Sequence, residues 1–249
     1  MVTVVLCAHN QLPYTKLAIK SLIERTNQDF KMILVDSGST DGTTEYFKEV
    51  QKERKDRDTV LTFSENINTV ASYNEGIELL DTEYVAFLSN DQIVSHNWWK
   101  PIEELLKDKS IGLASCKMLS GELTLENAYG KTEELSKGWT GVGDVEYEAN
   151  QPWSFRTELV REIGDFDPMY VYGWYMDFDY FNRVIVKGLR VVQTLESFTY
   201  HFGSVTLKTF MDKRHEWDEP NRNYFIKKWK DVPGDLWGRR YGNGVLKEG

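Results

Sequence analysis

Basic residues are in deficit. The chain carries 30 Lys and Arg against 39 Asp and Glu, a formal net charge of −9. That balance argues against a general nucleic-acid or anionic-membrane binder, which needs a positive face to replace counterions, and leaves room only for a local basic patch. Cysteine is scarce too: Cys7 and Cys116 are the only two in 249 residues. Both stand in apolar runs (VVLCA, GLASCKM), where a small hydrophobic thiol suits a reducing compartment, and no disulfide framework is expected. No apolar run approaches the roughly 20 residues that span a bilayer. The opening MVTVVLCAHN has neither the basic start nor the small-residue cleavage pattern of a leader. A cytoplasmic, soluble protein is expected. Internal repeats and low-complexity tracts are absent. So is a glycine-rich phosphate loop with a lysine near the first strand, which argues against a nucleotidyltransferase.

What is present is the composition of a folded globule, 41% hydrophobic and 13% aromatic, at a length that fits one large α/β domain or a domain with a small appendage. The runs VTVVLC, KMILVD, TVLTF, EYVAFL and IGLASCKM predict strands. Residues 13–25, 42–54 and 69–80 carry apolar side chains at helical spacing, and Ser95 or His96 opens a further helix through WWKPIEELL. Four βα units follow, a mostly parallel Rossmann-like sheet flanked by helices. Its loops collect at the carboxyl edge, where open α/β sheets bind ligands. Residues 120–151 break the alternation and read as an insertion. TELVREIG and MDFDYFNRVIVKG predict helices that end at Gly164 and Gly188. LRVVQT predicts a short strand, and the tail from Trp217 is aromatic and basic by turns.

The polar clusters at strand ends hold the candidate chemistry. In ILVDSGSTDGT, Asp36 ends a strand, where a carboxylate can accept hydrogen bonds from a base or ribose, and Asp41 reads as a helix cap. In VAFLSNDQIV, Asp91 lies just past an apolar strand, as a turn residue or as the single carboxylate that holds Mg or Mn beside substrate phosphates. Asp177 and Asp179 stand two apart on a predicted helix, so only one can point into a site and the other is a cap or salt-bridge partner. A carboxyl beside Trp174 and Tyr175 can have its pKa raised by desolvation, which suits a general base; the alternative is an acid facing the helix dipole. His201, in TYHFGSVT, is one of 4 histidines, and a lone histidine is a structural residue or a ligand according to its company.

Taken in order, these segments resemble the family 2 nucleotide-sugar glycosyltransferases of the GT-A fold. VVLCAHNQLPYTKLAIKSL is similar to the family's opening strand and helix, and ILVDSGSTDGTTEYF to its second strand and acidic turn. ENINTVASYNEGIELLDTEYVAFLSNDQIV resembles the third block, ending in a DxD-type metal motif. MDFDYFNRVIVKGLRVV resembles the helix with the catalytic acid, YHFGSVT the late histidine segment and NYFIKKW the closing Lys-Trp element. The resemblance covers about residues 2–118 and 152–230, and implies one domain over 1–230, with a donor half at 1–118, a catalytic half at 119–230 and a tail at 231–249. It implies that Ala8, Asn10 and Asp36 contact the base and ribose of a UDP, dTDP or GDP sugar, with Asn66, Asn68, Asn74 and Asn90 in the same pocket. Asp91 and His201 would hold Mn2+ or Mg2+, and Asp177 would deprotonate the acceptor hydroxyl in an inverting transfer.

Three positions depart from the family pattern. The metal triplet is Ser89, Asn90, Asp91, so one carboxylate is missing. Met176 stands where Glu often precedes the base. Asn68 replaces a glycine, and asparagine tolerates left-handed geometry better than most residues. Trp153, Trp174, Tyr175 and Asp179 are expected on the acceptor side, with Trp139 as a further sugar-stacking candidate. The acceptor is expected to be a saccharide or glycoconjugate. A second possibility is a nucleic-acid base that meets Lys227, Lys228, Lys230, Arg239 and Arg240 interleaved with Phe225, Trp229, Trp237 and Tyr241. The competing reading is a GT-A domain that has lost catalysis and only binds a nucleotide sugar or glycan.

Overall fold

The computed structural model describes residues 1–55, 57–146, 148–203, 205, 209, 218–234 and 236. The chain opens with β1 (Val2–Ala8), α1 (Leu12–Arg25), β2 (Phe30–Ser37), α2 (Thr43–Glu53), β3 (Thr59–Phe63), α3 (Asn68–Ile77) and β4 (Tyr84–Ser89). It continues through β5 (Gln92–Val94), α4 (Trp99–Lys107), β6 (Ile111–Leu119), α5 (Ala128–Lys137), β7 (Asp144–Glu146), β8 (Trp153–Arg156) and α6 (Thr157–Ile163). A 3-10 turn (Val171–Gly173), α7 (Met176–Val186), β9 (Arg190–His201) and α8 (Asp218–Trp229) complete the described elements.

Nine described strands form one sheet in the order β3-β2-β1-β4-β8-β6-β9-β5, with β7 paired to β9. The first half is the parallel sheet that the alternation predicts. Beyond β4 the sheet is mixed, because β8 runs antiparallel between β4 and β6, and β5 and β7 run antiparallel to β9. These three strands are too short, at three or four residues, to declare a period in the sequence. The expected strand at 189–194 continues to His201, because its register shifts where Cys116 pairs with Thr194 and Lys117 with Phe198. That bulge hides the strand behind Leu195, Glu196 and Ser197. Helix α4 starts three residues later than expected, because Asn97 sits in the left-handed region (φ 54°) and cannot be helical. The insertion contributes both α5 and β7.

The strand side chains alternate between two cores, which is why the central strands read as unbroken apolar runs. Val5, Cys7, Ile33, Val35, Val85 and Phe87 pack toward α3, α6, α7 and α8. Val4, Leu6, Met32, Leu34, Ala86 and Leu88 pack toward α1, α2 and α4. Gly76 lets α3 lie close on the sheet: a β-carbon there would stand 2.5 Å from Val5 Cγ1. Both cysteines are free and buried, as expected.

Register builds the site. Parallel pairing aligns Ala8 with Asp36 and Cys7 with Ser89, so the carboxyl ends of β1, β2 and β4 finish together. Antiparallel pairing of β5 with β9 sets Gln92 opposite His201.

Candidate active site

A cavity of about 300 Å³ opens at this edge. Cys7, Ala8 and His9 line it from β1, Asn66 and Asn68 from the approach to α3, and Ser89, Asn90 and Asp91 from the end of β4. Trp153, the turn at Tyr172–Trp174, Met176, Asp177 and His201 close it from the second half. Of the residues expected in the site, Ala8, Asn66, Asn68, Asn90, Asp91, Trp153, Trp174, Asp177 and His201 therefore share one cavity wall.

Asp91 is 4% exposed. Its Oδ1 accepts from Ser89 Oγ (2.7 Å) and its Oδ2 from the Val205 amide (3.0 Å), and His201 Nε2 lies 3.2 Å from Oδ2. Burial alone would raise this carboxyl, but the His201 imidazole, the Ser89 hydroxyl and the Val205 amide hold it below its ordinary value. Asp91 is thus kept ionised beside an imidazole. Among the described residues no group of three or more His, Cys, Asp and Glu is placed to hold a metal ion. A carboxylate oxygen and an imidazole nitrogen are a donor pair that suits Mn2+, with the remaining positions open to phosphate oxygens and water. The residues present fit such an ion.

Asp177 meets a different environment. It lies in the first turn of α7, half-buried at the cavity wall. Desolvation pushes its pKa up to about 7, against the Phe178 amide that donates to Oδ1 at 2.9 Å. Asp179, two residues on, turns the other way, as helical rotation requires. It is fully buried and receives the Tyr170 hydroxyl (3.1 Å), Trp229 Nε1 (2.8 Å) and Lys228 Nζ (2.7 Å). Asp179 is therefore a core anchor and does not belong to the acceptor side.

Five more expected residues are placed away from the cavity. Tyr175 does not line the cavity; it packs between Phe178 and Phe225, with ring centroids at 5.6 and 5.5 Å. Asn74 lies outside it as well, because its amide exchanges two hydrogen bonds with the Phe166 backbone, both 2.9 Å. Asp36 is fully buried behind the wall, where its carboxylate accepts from the Ser39 amide (3.0 Å) and from Thr44 Oγ1. Asn10 likewise braces the acidic turn, its Oδ1 accepting from the Thr40 amide at 2.8 Å. Ser37 and His9, the neighbours of these two, face the cavity instead. Asp41, expected as a helix cap, stands one residue before the N-cap Gly42 of α2 and accepts from the first amide of two helices, Thr43 N (3.2 Å) at α2 and Leu12 N (2.8 Å) at α1. Gly38 (φ 67°) lets this turn pass the next segment, since a β-carbon would meet the Glu65 backbone at 2.4 Å. Trp139 also leaves the site, its Nε1 donating to Leu195 O at 2.8 Å on β9.

Asn68 takes the left-handed conformation (φ 66°) that a glycine would, and its Oδ1 accepts from the amides of Val70 (2.9 Å) and Ala71 (3.2 Å). Asn68→Ala is expected to cost about 1–3 kcal/mol in urea denaturation, and Asn68→Gly less than half of that, because glycine loses the cap but keeps the dihedral. Equal losses would show that the dihedral costs alanine nothing.

Sequence reasoning missed a polar bracket in the cavity wall. Gln151 Nε2 donates to the Tyr73 hydroxyl (2.9 Å), while its Oε1 accepts from the Ser89 amide (3.1 Å) and Gln92 Nε2 (2.8 Å). Gln151 stands at the end of the insertion, 59 to 78 residues from these partners, so no local pattern could announce it. The basic and aromatic pattern on α8 does not form a stacking platform. Phe225 and Trp229 are buried in the core, and Lys228 is committed to Asp167 and Asp179, both at 2.7 Å. Trp237, Arg239, Arg240 and Tyr241 lie outside the described residues, with most of the expected tail. Among the described residues no helix is long and apolar enough to cross a membrane.

Comparison with known proteins bears on the family and the fold. An uncharacterized glycosyltransferase of Nostoc sp. is 29% identical over 184 residues, covering 68% of this chain and 54% of its own length. One from Haemophilus influenzae is 29% identical over 107 residues, 43% of this chain and 33% of its own. The chain thus spans between a third and about half of these relatives. Among solved structures, a mannosyltransferase of Pyrobaculum calidifontis in complex with GDP-Man and Mn2+ superposes with a TM-score of 0.68 at 16% identity, over 98% of this chain and 69% of that one. GalNAc-T7 with UDP, GalNAc and Mn2+ superposes with a TM-score of 0.63 at 16% identity, over 95% of this chain and 53% of that one. At such identity these two speak for the fold, a GT-A-like α/β domain. The family profile described as "Glycosyl transferase family 2" matches residues 3–154, more than half of the chain, and the protein belongs to that family.

Proposed function

We propose that this glycosyltransferase moves a sugar from a nucleoside diphosphate sugar to an acceptor hydroxyl with inversion at the anomeric carbon, assisted by a divalent metal. The observation that carries this reading is the opposition, in one cavity, of an ionised Asp91 paired with His201 and an Asp177 whose pKa is raised to about 7. Two carboxyls with pKa values driven apart by their surroundings mark separate roles, one a ligand and one a proton acceptor.

In this reading the nucleotide lies along Ala8, Asn66, Asn68 and Asn90, its diphosphate toward Asp91 and His201. An Mn2+ or Mg2+ held by those two residues supplies charge neutralisation to the diphosphate. Asp177 accepts the proton of the acceptor hydroxyl, whose oxygen forms the new bond to the anomeric carbon. The bond from that carbon to the diphosphate oxygen breaks, and its electron pair leaves with the nucleoside diphosphate. A single displacement of this kind inverts the centre. The acceptor is a saccharide or glycoconjugate, because Trp174, 37% exposed, lines the same cavity as Asp177 and aromatic side chains pack on sugar rings; Trp153, 7% exposed, is part of the core behind it.

The first test needs no acceptor. The purified protein is incubated with UDP, dTDP and GDP sugars, with and without Mn2+, and thermal shift and slow donor hydrolysis are recorded. Selective, metal-dependent stabilisation and hydrolysis with one donor is the expected result. Stabilisation without hydrolysis would favour a domain that binds without catalysis, and no response to any donor would overturn the transferase reading.

A further inference from the structure

The turn that leads into Asp177 is held from outside. Between Tyr170 and Met176 the backbone enters the left-handed region three times, at Tyr172 (φ 54°), Gly173 (φ 81°) and Tyr175 (φ 73°). Two of these residues carry a β-carbon, so the segment does not favour this shape by itself. The same turn is a wall of the cavity through Tyr172, Gly173 and Trp174, and Tyr175 is the residue from which α7 starts.

Helix α8 supplies what holds it. Asn221 is 1% exposed and spends its whole amide on the turn. Its Oδ1 accepts from the Val171 amide (3.2 Å), and its Nδ2 donates to the carbonyls of Val171 (2.8 Å) and Trp174 (3.0 Å). One turn further along α8, Phe225 packs on the Tyr175 ring. The helix also grips the chain on both flanks. Tyr224 and Lys228 reach Asp167 before the turn (3.0 and 2.7 Å), and Lys228 and Trp229 reach Asp179 after it (2.7 and 2.8 Å). Apolar packing of Phe225 and Trp229 would suffice to dock α8. It would not explain why a buried amide 47 to 50 residues distant in sequence closes three hydrogen bonds on so strained a turn.

We propose that α8 is a clamp on this turn and that Asn221 is a positioning residue: it fixes Trp174 and the start of α7, and through them Asp177, in the arrangement that transfer requires. The clamp's effect on turnover rests on the transferase reading above; its effect on the backbone does not.

The test compares the full chain with Asn221→Ala and Asn221→Asp by amide hydrogen exchange, and by kcat and KM for donor hydrolysis. Aspartate keeps an acceptor for the Val171 amide but gives up both donations. In Asn221→Ala, peptides covering residues 169–176 are expected to exchange about tenfold faster or more, with β1 and β4 unchanged, because buried backbone groups lose their partners. The kcat should fall about tenfold at unchanged donor KM, with Asn221→Asp between the two. Unchanged exchange at 169–176 would overturn the clamp, as would faster exchange with unchanged kcat, or loss of protection throughout the sheet in both variants. If the unaltered protein hydrolyses no donor, the transferase reading fails while the exchange result still decides whether the clamp exists.

Discussion

Asp177→Asn is expected to lower transfer by about 10²- to 10⁴-fold, the usual contribution of a positioned general base, while the metal-dependent thermal shift given by a nucleoside diphosphate stays as in the unaltered protein. Asparagine has nearly the same shape, and in the proposed arrangement the nucleotide and its metal are held by residues other than Asp177. Loss of binding together with transfer would remove Asp177 from the role of base. The pH dependence adds an independent check. With a folded pKa of about 7, kcat should rise with pH through that value, as the carboxyl becomes able to take a proton. Stability should move the opposite way. Between the ordinary carboxyl pKa and about 7 the folded state binds more protons than the unfolded one, so this group's contribution falls as pH rises through that window. Above it Asp177 is a partly desolvated charge that costs stability. Asp177→Asn should therefore raise the melting temperature at pH 8, by about 1–2 kcal/mol of stability once solvent in the open cavity is allowed for, and leave it unchanged near pH 4. A variant that is inactive but gains no more over the unaltered protein at pH 8 than at pH 4 would contradict the raised pKa.

Much of this site was legible in the chain, because the signals were local. Asp91 ends an apolar strand, and Asp177 and Asp179 are separated by a helical rotation that admits only one to the cavity. Register then does the rest: an unbroken run such as VTVVLC specifies a strand buried on both faces, and parallel pairing of such strands brings Ala8 and Ser89 to one edge. What sequence reasoning could not reach depends on long-range pairing. Strand β8 enters the sheet between β4 and β6 with four residues, and Gln151 completes its bracket only once β8 is in place. Asp36 shows what a strand-end position leaves undecided. Its strand-end position is where a ligand-binding carboxylate belongs, yet the Ser39 amide and the Thr44 hydroxyl claim its oxygens. A helix start that follows so closely is itself a hydrogen-bond donor, and it competes with any ligand.

Asp91→Asn is the second large effect, and it separates the two carboxyls by sign. Asparagine preserves an acceptor toward Ser89 Oγ or the Val205 amide, so the fold should survive, but the charge that faces His201 and a metal is gone. Mn2+-dependent stabilisation by a nucleoside diphosphate should disappear, and donor hydrolysis should fall about 10²-fold or more, as expected where a metal neutralises a leaving group. Chelation of metal from the unaltered protein should reach the same end point, and chelation should do nothing further to Asp91→Asn, because both remove one interaction. Retention of the full Mn2+ response in the variant would exclude Asp91 as a ligand. The acid limb of stability distinguishes the residues again. The pKa of Asp91 is held low by His201, Ser89 and Val205 against the pull of burial. Its contribution is therefore fully present above the ordinary carboxyl value and is lost as pH falls through the folded one. Asp91→Asn should lower stability at pH 8, where that contribution is fully present, and flatten the acid limb until the two proteins converge below the folded pKa, whereas Asp177→Asn raises stability at pH 8 and does nothing in acid. Two aspartates on one cavity wall thus make opposite demands on the fold. The difference lies in what surrounds them: an imidazole and two hydrogen-bond donors hold one carboxyl low, and desolvation pushes the other up.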